Sequence, residues 1–317
     1  MSSRALRRVR DDGIKENPRH MNETIRFDGR AVLVTGAGKG LGRAYALLLA
    51  RRGAAVVVNN RKREAPGEKG SADRVVDEIR AAGGKAVANY DSVETREAGE
   101  RMVKAALDAF GRLDILVNNA GIDQHAALHN ISLDEFERVF AVNFFGTLYV
   151  TKAALPVMRA ANYGRIVVST SSAGLYGLHG LTAYSASKGA LVAFMRALAQ
   201  ECARRPIRVN AVAPYALTPM TERQGVDTSQ LHGPELVAPL IAWLASEQCT
   251  ANGETFIAGS GHFGRAWAVE NAGVKLPADK AISPEDVAAR IDAIRAETAP
   301  RGYPDAVASF IGIKGGA

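Results

Sequence analysis

The chain has 317 residues, of which 47% are hydrophobic and 23% are charged, and its formal net charge at pH 7 is +7. This composition is typical of a globular protein with a sizeable core, and no window approaches the roughly 20 apolar residues that a membrane-spanning helix needs. The two cysteines, Cys202 and Cys249, lie far apart and without metal-ligand spacing, so we expect reduced, non-catalytic thiols, a cytoplasmic protein and no metal site.

The first 20 residues carry six basic side chains against three acidic ones. They contain no apolar stretch of the kind found in secretory signals, and we interpret residues 1–24 as a basic, disordered leader. A nucleic-acid-binding arm is the alternative, but aromatic residues between the basic ones and a known binding motif are both missing. Met21 stands just before the first predicted strand, so a translation start there or at Met1 stays open.

Predicted strands and helices alternate along the rest of the chain. A capping box at Ser132 and Glu135 begins a long helix that continues past Asn143, and another long helix begins at Tyr184. A helix is also predicted over residues 281–298, capped by Ser283. The predicted strands are residues 31–34, 54–59, 85–89, 113–117, 165–169, 207–212 and 255–258.

Strands joined by helices predict an α/β fold with a parallel sheet. The apolar strands indicate burial on both faces, so we expect a single Rossmann-type doubly wound sheet of about seven strands with helices on both faces. One such pattern is present, which predicts one domain over residues 25–265. Residues 266–317 are predicted to form a partly helical C-terminal extension.

A glycine-rich turn follows the first predicted strand and precedes an amphipathic helix. Four glycines, Gly36, Gly38, Gly40 and Gly42, fall between Thr35 and that helix. Glycine permits positive φ and close approach of a ligand, and the helix N-terminus offers unpaired N–H groups and a positive dipole end. We expect Gly42 to let the helix pack tightly on the sheet. The turn predicts a dinucleotide pyrophosphate site, the alternative being a turn without a ligand.

Tyr184 and Lys188 lie four residues apart, with Ser171 thirteen residues upstream. Four-residue spacing puts both side chains on one face of a helix. A neighbouring cation favours the phenolate and lowers the phenol pKa from near 10, which makes Tyr184 a candidate proton donor and acceptor. Helices produce such pairs by chance, and the upstream glycine-rich turn is what gives this one weight.

Taken together, these motifs resemble the short-chain dehydrogenase/reductase family. The resemblance rests on Thr35-Gly36-x-x-x-Gly40-x-Gly42, Asn118-Asn119-Ala120-Gly121, Asn143, Ser171, Tyr184 and Lys188, which occur in the family's order. Residues 86–93 and 237–240 are similar to the (3R)-hydroxyacyl-CoA dehydrogenase part of peroxisomal multifunctional enzymes. The resemblance implies an NAD(P)-dependent oxidoreductase that moves a hydride between nicotinamide and a secondary alcohol or ketone. A 3-hydroxyacyl thioester and a cyclic, steroid-like alcohol are both candidate substrates.

A non-catalytic, nucleotide-sensing Rossmann regulator is the alternative function. Such proteins typically lose the tyrosine or the lysine, whereas this chain retains both. Relatives pair through the helices that carry Asn143 and Tyr184, so the resemblance implies a homodimer or homotetramer. We expect a small-molecule substrate and neither a nucleic-acid nor a membrane partner.

The resemblance implies a role for each matching residue. Tyr184 would exchange a proton with the substrate oxygen, Lys188 would lower the tyrosine pKa and bind the nicotinamide ribose, and Ser171 would hydrogen bond the substrate oxygen. Asn143 would hold a water that links Lys188 to solvent, or alternatively kink its helix and bond the backbone. These four are the expected catalytic residues. The expected cofactor contacts are Gly36, Lys39, Gly40, Leu41, Gly42, Asn60, Arg61, Asp91, Ser92, Val93, Asn118, Ala120, Gly121, Tyr184, Lys188, Pro214 and Thr218.

The chain departs from the family's pattern after the second strand. NAD-preferring relatives have an aspartate there that binds the adenosine ribose, whereas this chain has Asn60 followed by Arg61, Lys62 and Arg63. Losing the carboxylate removes repulsion toward a 2′-phosphate, which Arg61 is suited to bind. We therefore predict NADP as the cofactor, the alternative being NAD with a solvated basic loop.

A second departure is Pro214-Tyr215, where many relatives have Pro-Gly. Residues 215–221 are predicted to form a substrate lid, with Thr218 at the nicotinamide carboxamide and Tyr215 as an aromatic wall. Further candidate lining residues, each with a packed or surface position as the alternative, are Tyr176, His179 and Met220.

Overall fold

A computed structural model describes residues 24–61, 68–218, 229, 231–277, 279 and 281–309. The predictions for the leader up to residue 23, for the start at Met21 and for Lys62, Arg63 and Met220 lie outside these residues.

An eight-stranded sheet forms the centre of the described structure. In space the strands follow the order 3-2-1-4-5-6-7-8, and all neighbours are parallel except the last two. The chain winds outward in both directions from the two central strands, so the predicted doubly wound parallel sheet is confirmed, with eight strands in place of about seven. Strands β1 to β8 are Ala31–Val34, Ala55–Asn59, Lys85–Asn89, Ile115–Asn118, Gly164–Ser169, Ile207–Tyr215, Thr255–Gly259 and His262–Ala266.

Helices connect the strands. A π-helical turn, Ala141–Phe145, and a 3-10 turn, Pro234–Leu236, supplement them. Helices α1 to α10 are Gly40–Arg51, Ser71–Ala81, Arg96–Phe110, Leu133–Phe140, Gly146–Ala160, Ser172–Tyr176, Thr182–Cys202, Ala238–Ala245, Pro284–Ala288 and Ile291–Ile294.

Successive residues of β1 belong to two different buried clusters. Val32 and Val34 pack with side chains of α1, α2 and α8 on one face, whereas Leu33 packs with side chains of α3, α5 and α7 on the other. Side chains of a strand alternate between the two faces, so a continuously apolar strand must be covered on both. The helices on both faces therefore account for the fully buried strands β1, β4 and β5.

Several helix ends follow the predicted signals. The Ser132 hydroxyl accepts a hydrogen bond from the Glu135 N–H at 3.2 Å, and the Glu135 carboxylate accepts one from the Ser132 N–H at 3.2 Å. This reciprocal pair is the predicted capping box. Gly111 ends α3 with φ of 72°, a conformation that glycine adopts without strain.

One of the two long predicted helices continues as expected and the other is divided. The helix expected to run past Asn143 extends over Leu133–Ala160, where the π-turn joins α4 to α5 and the Asn143 side chain bonds the backbone of Ile122. The helix expected over residues 281–298 is two short helices, α9 and α10, and Ser283 caps the first as predicted. Periodicity alone shows neither the π-turn nor the division of the C-terminal helix.

The strand β8 is an addition to the prediction. Ser260 and Gly261, with φ of 50° and 82°, reverse the chain so that β8 runs antiparallel to β7. Its residues are mostly exposed, Phe263 among them, so it lacks the buried apolar run that predicts a strand from the sequence. The sheet ends at Ala266, and the division into a domain over residues 25–265 and an extension stays a prediction.

The run Leu133–Ala160 corrects the expectation that no segment approaches a membrane-spanning length. An 18-residue window within its 28 residues reaches a mean hydropathy of 1.2, which is enough for a membrane span by length and composition alone. The helix contains the π-turn, 44% of that window is buried inside the protein, and α5 packs against α3, β4 and β5. We therefore interpret it as a core helix of the domain.

Candidate active site

The loop after β5 and the first turns of α7 bring three predicted catalytic residues together. Ser171 is the N-cap of α6, where its hydroxyl accepts a hydrogen bond from the Ala173 N–H at 3.2 Å. The Ser171 hydroxyl lies close enough to the Tyr184 phenol to lower the pKa of that phenol. Lys188 lies one helical turn beyond Tyr184, with Nζ 5.8 Å from the centre of the tyrosine ring. A substrate oxygen held by both hydroxyls would therefore face a phenol and a serine at once.

Burial dominates the electrostatics of the two ionisable groups. Tyr184 is 7% exposed, and burial raises its pKa to about 12, although the hydrogen bond from Ser171 lowers it and the Asp123 carboxylate raises it further. Lys188 is 4% exposed, and burial lowers its pKa to about 8. Burial therefore sets the direction of the Tyr184 pKa in the unliganded protein, and the expected lowering by Lys188 is not seen here. The Lys188 ammonium donates to the Ser169 carbonyl at 2.7 Å.

Asn143 lies fully buried in the π-turn and bonds a neighbouring loop at both ends of its amide. Its Oδ1 accepts from the Ile122 N–H at 2.8 Å, and its Nδ2 donates to the Ile122 carbonyl at 2.9 Å and to the Ser187 hydroxyl at 3.0 Å. These contacts correspond to the backbone-bonding alternative. A Cβ placed on Gly121 would lie 3.2 Å from Asn143 Oδ1 and 3.3 Å from Lys188 Nζ, so both atoms border one small space. The water-holding role stays a prediction.

The glycine-rich turn has no room for side chains where a ligand would pass. A Cβ on Gly36, whose φ is 64°, would lie 2.9 Å from the Ala120 Cα, and one on Gly38 would lie 2.8 Å from the Asn60 side chain. A Cβ on Gly42 would lie 2.5 Å from Asn119 Nδ2 and 2.9 Å from the Ala37 Cα, so the missing side chain lets α1 pack closely on the ends of β1 and β4. Such a cradle fits the pyrophosphate of a dinucleotide, held by backbone N–H groups.

The other predicted residues of the turn contribute in different ways. Lys39 is exposed and occupies the N-cap of α1 in extended backbone conformation. The Leu41 side chain packs against the core beside α1, so only its backbone faces the turn. Gly40 has φ of 55°, and a Cβ there would be in van der Waals contact with the Thr218 methyl at 3.8 Å, so Thr218 lies beside the turn.

A pocket with an empty volume of about 420 Å³ adjoins this turn. Asp91, predicted to contact adenine, has its carboxylate bound by Arg101 at 2.6 Å and by the Asn89 amide at 2.9 Å, while Val93 is buried. The shape and polarity suit an adenosine. The pocket is lined by Asn59, Asn60, Arg61, Asp91, Ser92, Val93, Ala120, Gly121, Ile122 and Val142.

Asn60 and Arg61, the two residues after β2, determine which polar groups the pocket presents to the adenosine ribose. The Asn60 amide donates to the Ser71 hydroxyl at 2.7 Å, at the start of α2. Arg61 forms an ion pair with Glu94, with 3.4 Å between Nη1 and Oε2. Glu94, like Asn59, was not predicted, because residues 61 and 94 meet only when β2 and β3 pair in the sheet.

Asn118 is the last residue of β4, the strand that pairs with β1 next to the glycine-rich turn. Its Nδ2 donates to the Thr151 hydroxyl at 2.9 Å, and its buried Oδ1 has no hydrogen-bond partner among the described residues. The Thr35 hydroxyl accepts from the N–H groups of Asn119 and Ala120 at 3.0 and 3.1 Å, which ties the first predicted motif to the second. The pairing explains why both motifs meet at the centre of the sheet.

Several candidate substrate-lining residues lie at the surface. Pro214 and Tyr215 end β6, which extends three residues beyond the predicted end at residue 212, and Tyr215 is 37% exposed, whereas Tyr176 is 71% exposed and His179 is also on the surface. Asp123, which the sequence reasoning missed, lies close enough to act on the Tyr184 pKa. Within the described ranges, no group of three or more His, Cys, Asp or Glu side chains is arranged to hold a metal.

Comparison with known proteins connects this geometry to a family. A family profile described as short chain dehydrogenase matches residues 30–229. The chain is 48% identical over 249 residues to the peroxisomal multifunctional enzyme type 2 of Mus musculus, covering 77% of this chain and 34% of that protein. It is 43% identical over 265 residues to a putative short-chain type dehydrogenase/reductase of Mycobacterium tuberculosis, covering 82% of this chain and 92% of that protein.

A solved structure shares the fold. The full-length peroxisomal multifunctional enzyme type 2 of Drosophila melanogaster superimposes with a TM-score of 0.76 at 35% identity, over 91% of this chain and 49% of that one. The chain spans about a third of the length of the mouse and Neurospora crassa multifunctional relatives that it matches.

Proposed function

The chain belongs to the short-chain dehydrogenase/reductase family, and on that premise we propose that it acts on a 3-hydroxyacyl thioester or on the corresponding ketone. It is an NAD(P)-dependent oxidoreductase that moves a hydride between nicotinamide and a secondary alcohol or ketone. The observation that carries the chemistry is the half-buried Ser171 next to the buried Tyr184, with Lys188 one helical turn away. Similarity to the multifunctional enzymes supports the thioester, and a cyclic, steroid-like alcohol is the alternative substrate.

Tyr184, Ser171 and Lys188 have different roles in the proton transfer. With a pKa of about 12, the Tyr184 phenol is protonated at neutral pH and is ready to donate to a ketone oxygen. The Ser171 hydroxyl orients that oxygen, and Lys188 places a cation next to the space at Gly121. When bound, the nicotinamide supplies or accepts the hydride, and its oxidised form adds a positive charge that favours the phenolate needed to oxidise an alcohol.

Activity assays with a panel of substrates test whether the chain acts on a 3-hydroxyacyl thioester. We expect turnover of 3-hydroxyacyl-CoA of one configuration at C3, abolished in Tyr184→Phe while coenzyme binding persists. Turnover of steroid or other cyclic alcohols without turnover of any 3-hydroxyacyl thioester would replace the proposed substrate by the alternative.

We also propose that the chain prefers NADP(H). Asn60 brings no carboxylate to the ribose site, and the guanidinium of Arg61 lines the adenosine pocket. Titrations of NADPH and NADH on the wild type and on Arg61→Ala test this. We expect the preference for NADPH to disappear in the variant; equal or tighter NADH binding by the wild type would leave NAD as the coenzyme.

For the assembly we propose a homodimer or homotetramer formed through α5 and α7. Supporting this, Phe145 of the π-turn stacks on Tyr149 of α5 with 6.0 Å between the ring centres, and Phe145 is 41% exposed. Light scattering on the purified protein should give at least twice the monomer mass. A cytoplasmic location is our proposal from the two free, buried cysteines, and cell fractionation would test it against the peroxisome named for the relatives.

A further inference from the structure

The rim of the adenosine pocket carries an ion pair that links the end of β2 to the start of α3. Arg61 Nη1 lies 3.4 Å from Glu94 Oε2, and the two side chains are 30% and 28% exposed. The Ser92 hydroxyl donates to the same Glu94 oxygen. Glu94 directly precedes Thr95, the N-cap of α3, so its backbone is fixed by a regular helix end. The pair is therefore held from both sides and is shielded from solvent in part.

Charges around this pocket are already balanced among the described residues. Arg61 is paired with Glu94, and Arg101, the other guanidinium at this end of β3, is paired with Asp91 at 2.6 Å. A 2′-phosphate would bring up to two negative charges to a guanidinium that a carboxylate already holds. It would have to draw Arg61 away from Glu94 or bind with that carboxylate beside it, and both arrangements weaken its binding.

We infer that Glu94 is a specificity-determining residue for the coenzyme: by holding Arg61, its carboxylate limits the affinity for a 2′-phosphate. This rests on the proposed role of Arg61 toward NADP(H). A coenzyme with a free 2′-hydroxyl leaves the Arg61–Glu94 pair intact, so Glu94 affects its binding little. The pair thus sets how far the chain discriminates between the two coenzymes, a role that Asn60 alone does not explain.

The substitution Glu94→Gln isolates this effect. Glutamine keeps the size of the side chain and an oxygen that accepts from Ser92, but it removes the negative charge. We expect the affinity for 2′-phosphorylated adenosine to rise about tenfold and the affinity for the unphosphorylated form to stay within about twofold. Glu97→Gln is the matched control, because Glu97 is an exposed residue in the first turn of the same helix and removing its charge leaves the pair untouched.

Calorimetric titrations with adenosine 2′,5′-bisphosphate and with ADP, at one fixed ionic strength, provide a readout that does not depend on turnover. They are made on the wild type, Glu94→Gln, Glu97→Gln, Arg61→Ala and the double variant of residues 61 and 94. We expect the bisphosphate alone to bind tighter in Glu94→Gln, and that gain to vanish when Arg61 is also replaced.

The results separate this inference from the proposed NADP preference. An unchanged bisphosphate affinity in Glu94→Gln, an equal gain in Glu97→Gln, or a gain that persists without Arg61 would overturn the role of Glu94. A wild type that prefers NADH, with a Glu94→Gln variant that gains bisphosphate affinity through Arg61, would overturn only the proposed preference. Melting temperatures of the unliganded variants, which we expect to match the wild type, exclude a folding defect as the cause.

Discussion

Replacing the catalytic lysine should make the unliganded protein more stable. Burial lowers the Lys188 pKa from 10.5 to about 8, so the charged form is disfavoured in the folded state by about 3 kcal/mol, at 1.36 kcal/mol for each pKa unit. Lys188→Met removes that penalty and fills the same space, but it loses the hydrogen bond to the Ser169 carbonyl, worth about 1 kcal/mol. We expect a net gain of about 1–2 kcal/mol at pH 7, with activity abolished.

The gain should depend on pH in a defined direction. The folded pKa of Lys188 lies below its unfolded value, so between pH 8 and 10.5 the unfolded chain binds the extra proton and the stability of the wild type rises with pH. Methionine does not titrate, and the advantage of the variant therefore shrinks over this window. The raised Tyr184 pKa acts in the opposite sense, lowering stability from pH 10 to about 12, but it does so in both proteins and cancels in the difference.

Urea unfolding of wild type and variant at pH 7, 8, 9 and 10 measures the effect. Lys152→Met is the control, because Lys152 is an exposed residue of α5 and its loss should change stability by less than about 0.5 kcal/mol at every pH. A variant less stable than the wild type at pH 7, or a difference that stays constant from pH 7 to 10, would refute the desolvation of Lys188.

Three further predictions concern single side chains. Tyr184→Phe should lower kcat at least about a thousandfold and leave coenzyme affinity within about twofold, measured by steady-state kinetics and fluorescence titration. Gly42→Ala should weaken coenzyme binding more than about tenfold and cost about 2 kcal/mol in urea unfolding, because its Cβ meets the Ala37 Cα at 2.9 Å. Asn143→Ala should cost about 2–4 kcal/mol, since both backbone groups of Ile122 lose a buried partner; a loss below about 0.5 kcal/mol would contradict the bonding seen here.

The sheet was predictable because its strands are short, apolar and separated by clear helix signals. The residues of β1 are buried on both faces, which a continuous apolar run indicates by itself. β8 lacked that signal, since an edge strand has only one paired side and exposes most of its residues. The π-turn was equally hidden, because the hydrogen bonds that Asn143 makes there join it to Ile122, some 20 residues earlier in the chain.

At the site, the sequence indicated which residues meet but not the balance of their electrostatics. The four-residue spacing placed Lys188 beside Tyr184, and a cation beside a phenol lowers its pKa when both are solvated. Burial of both groups reverses the expected direction of the Tyr184 pKa shift in the free protein. The extent of burial depends on how α6 and α7 pack. In the same way, Arg61 was predicted to bind a 2′-phosphate, but its ion pair with Glu94 was not predicted, because it depends on the pairing of β2 with β3.

The close packing of α6 on α7 desolvates Lys188, and the same lysine is the group expected to bind the coenzyme. A Cβ on Gly174 would lie 2.7 Å from the Lys188 backbone, so the two helices touch without a side chain between them and exclude water from the lysine stem. The ammonium keeps one acceptor, the Ser169 carbonyl, and borders the small space at Gly121, a residue that lines the pocket. An ammonium has three donors, and a ligand hydroxyl in that space would satisfy another. The unliganded protein therefore holds a desolvation penalty that ligand binding offsets, which couples coenzyme affinity to the state of the catalytic lysine.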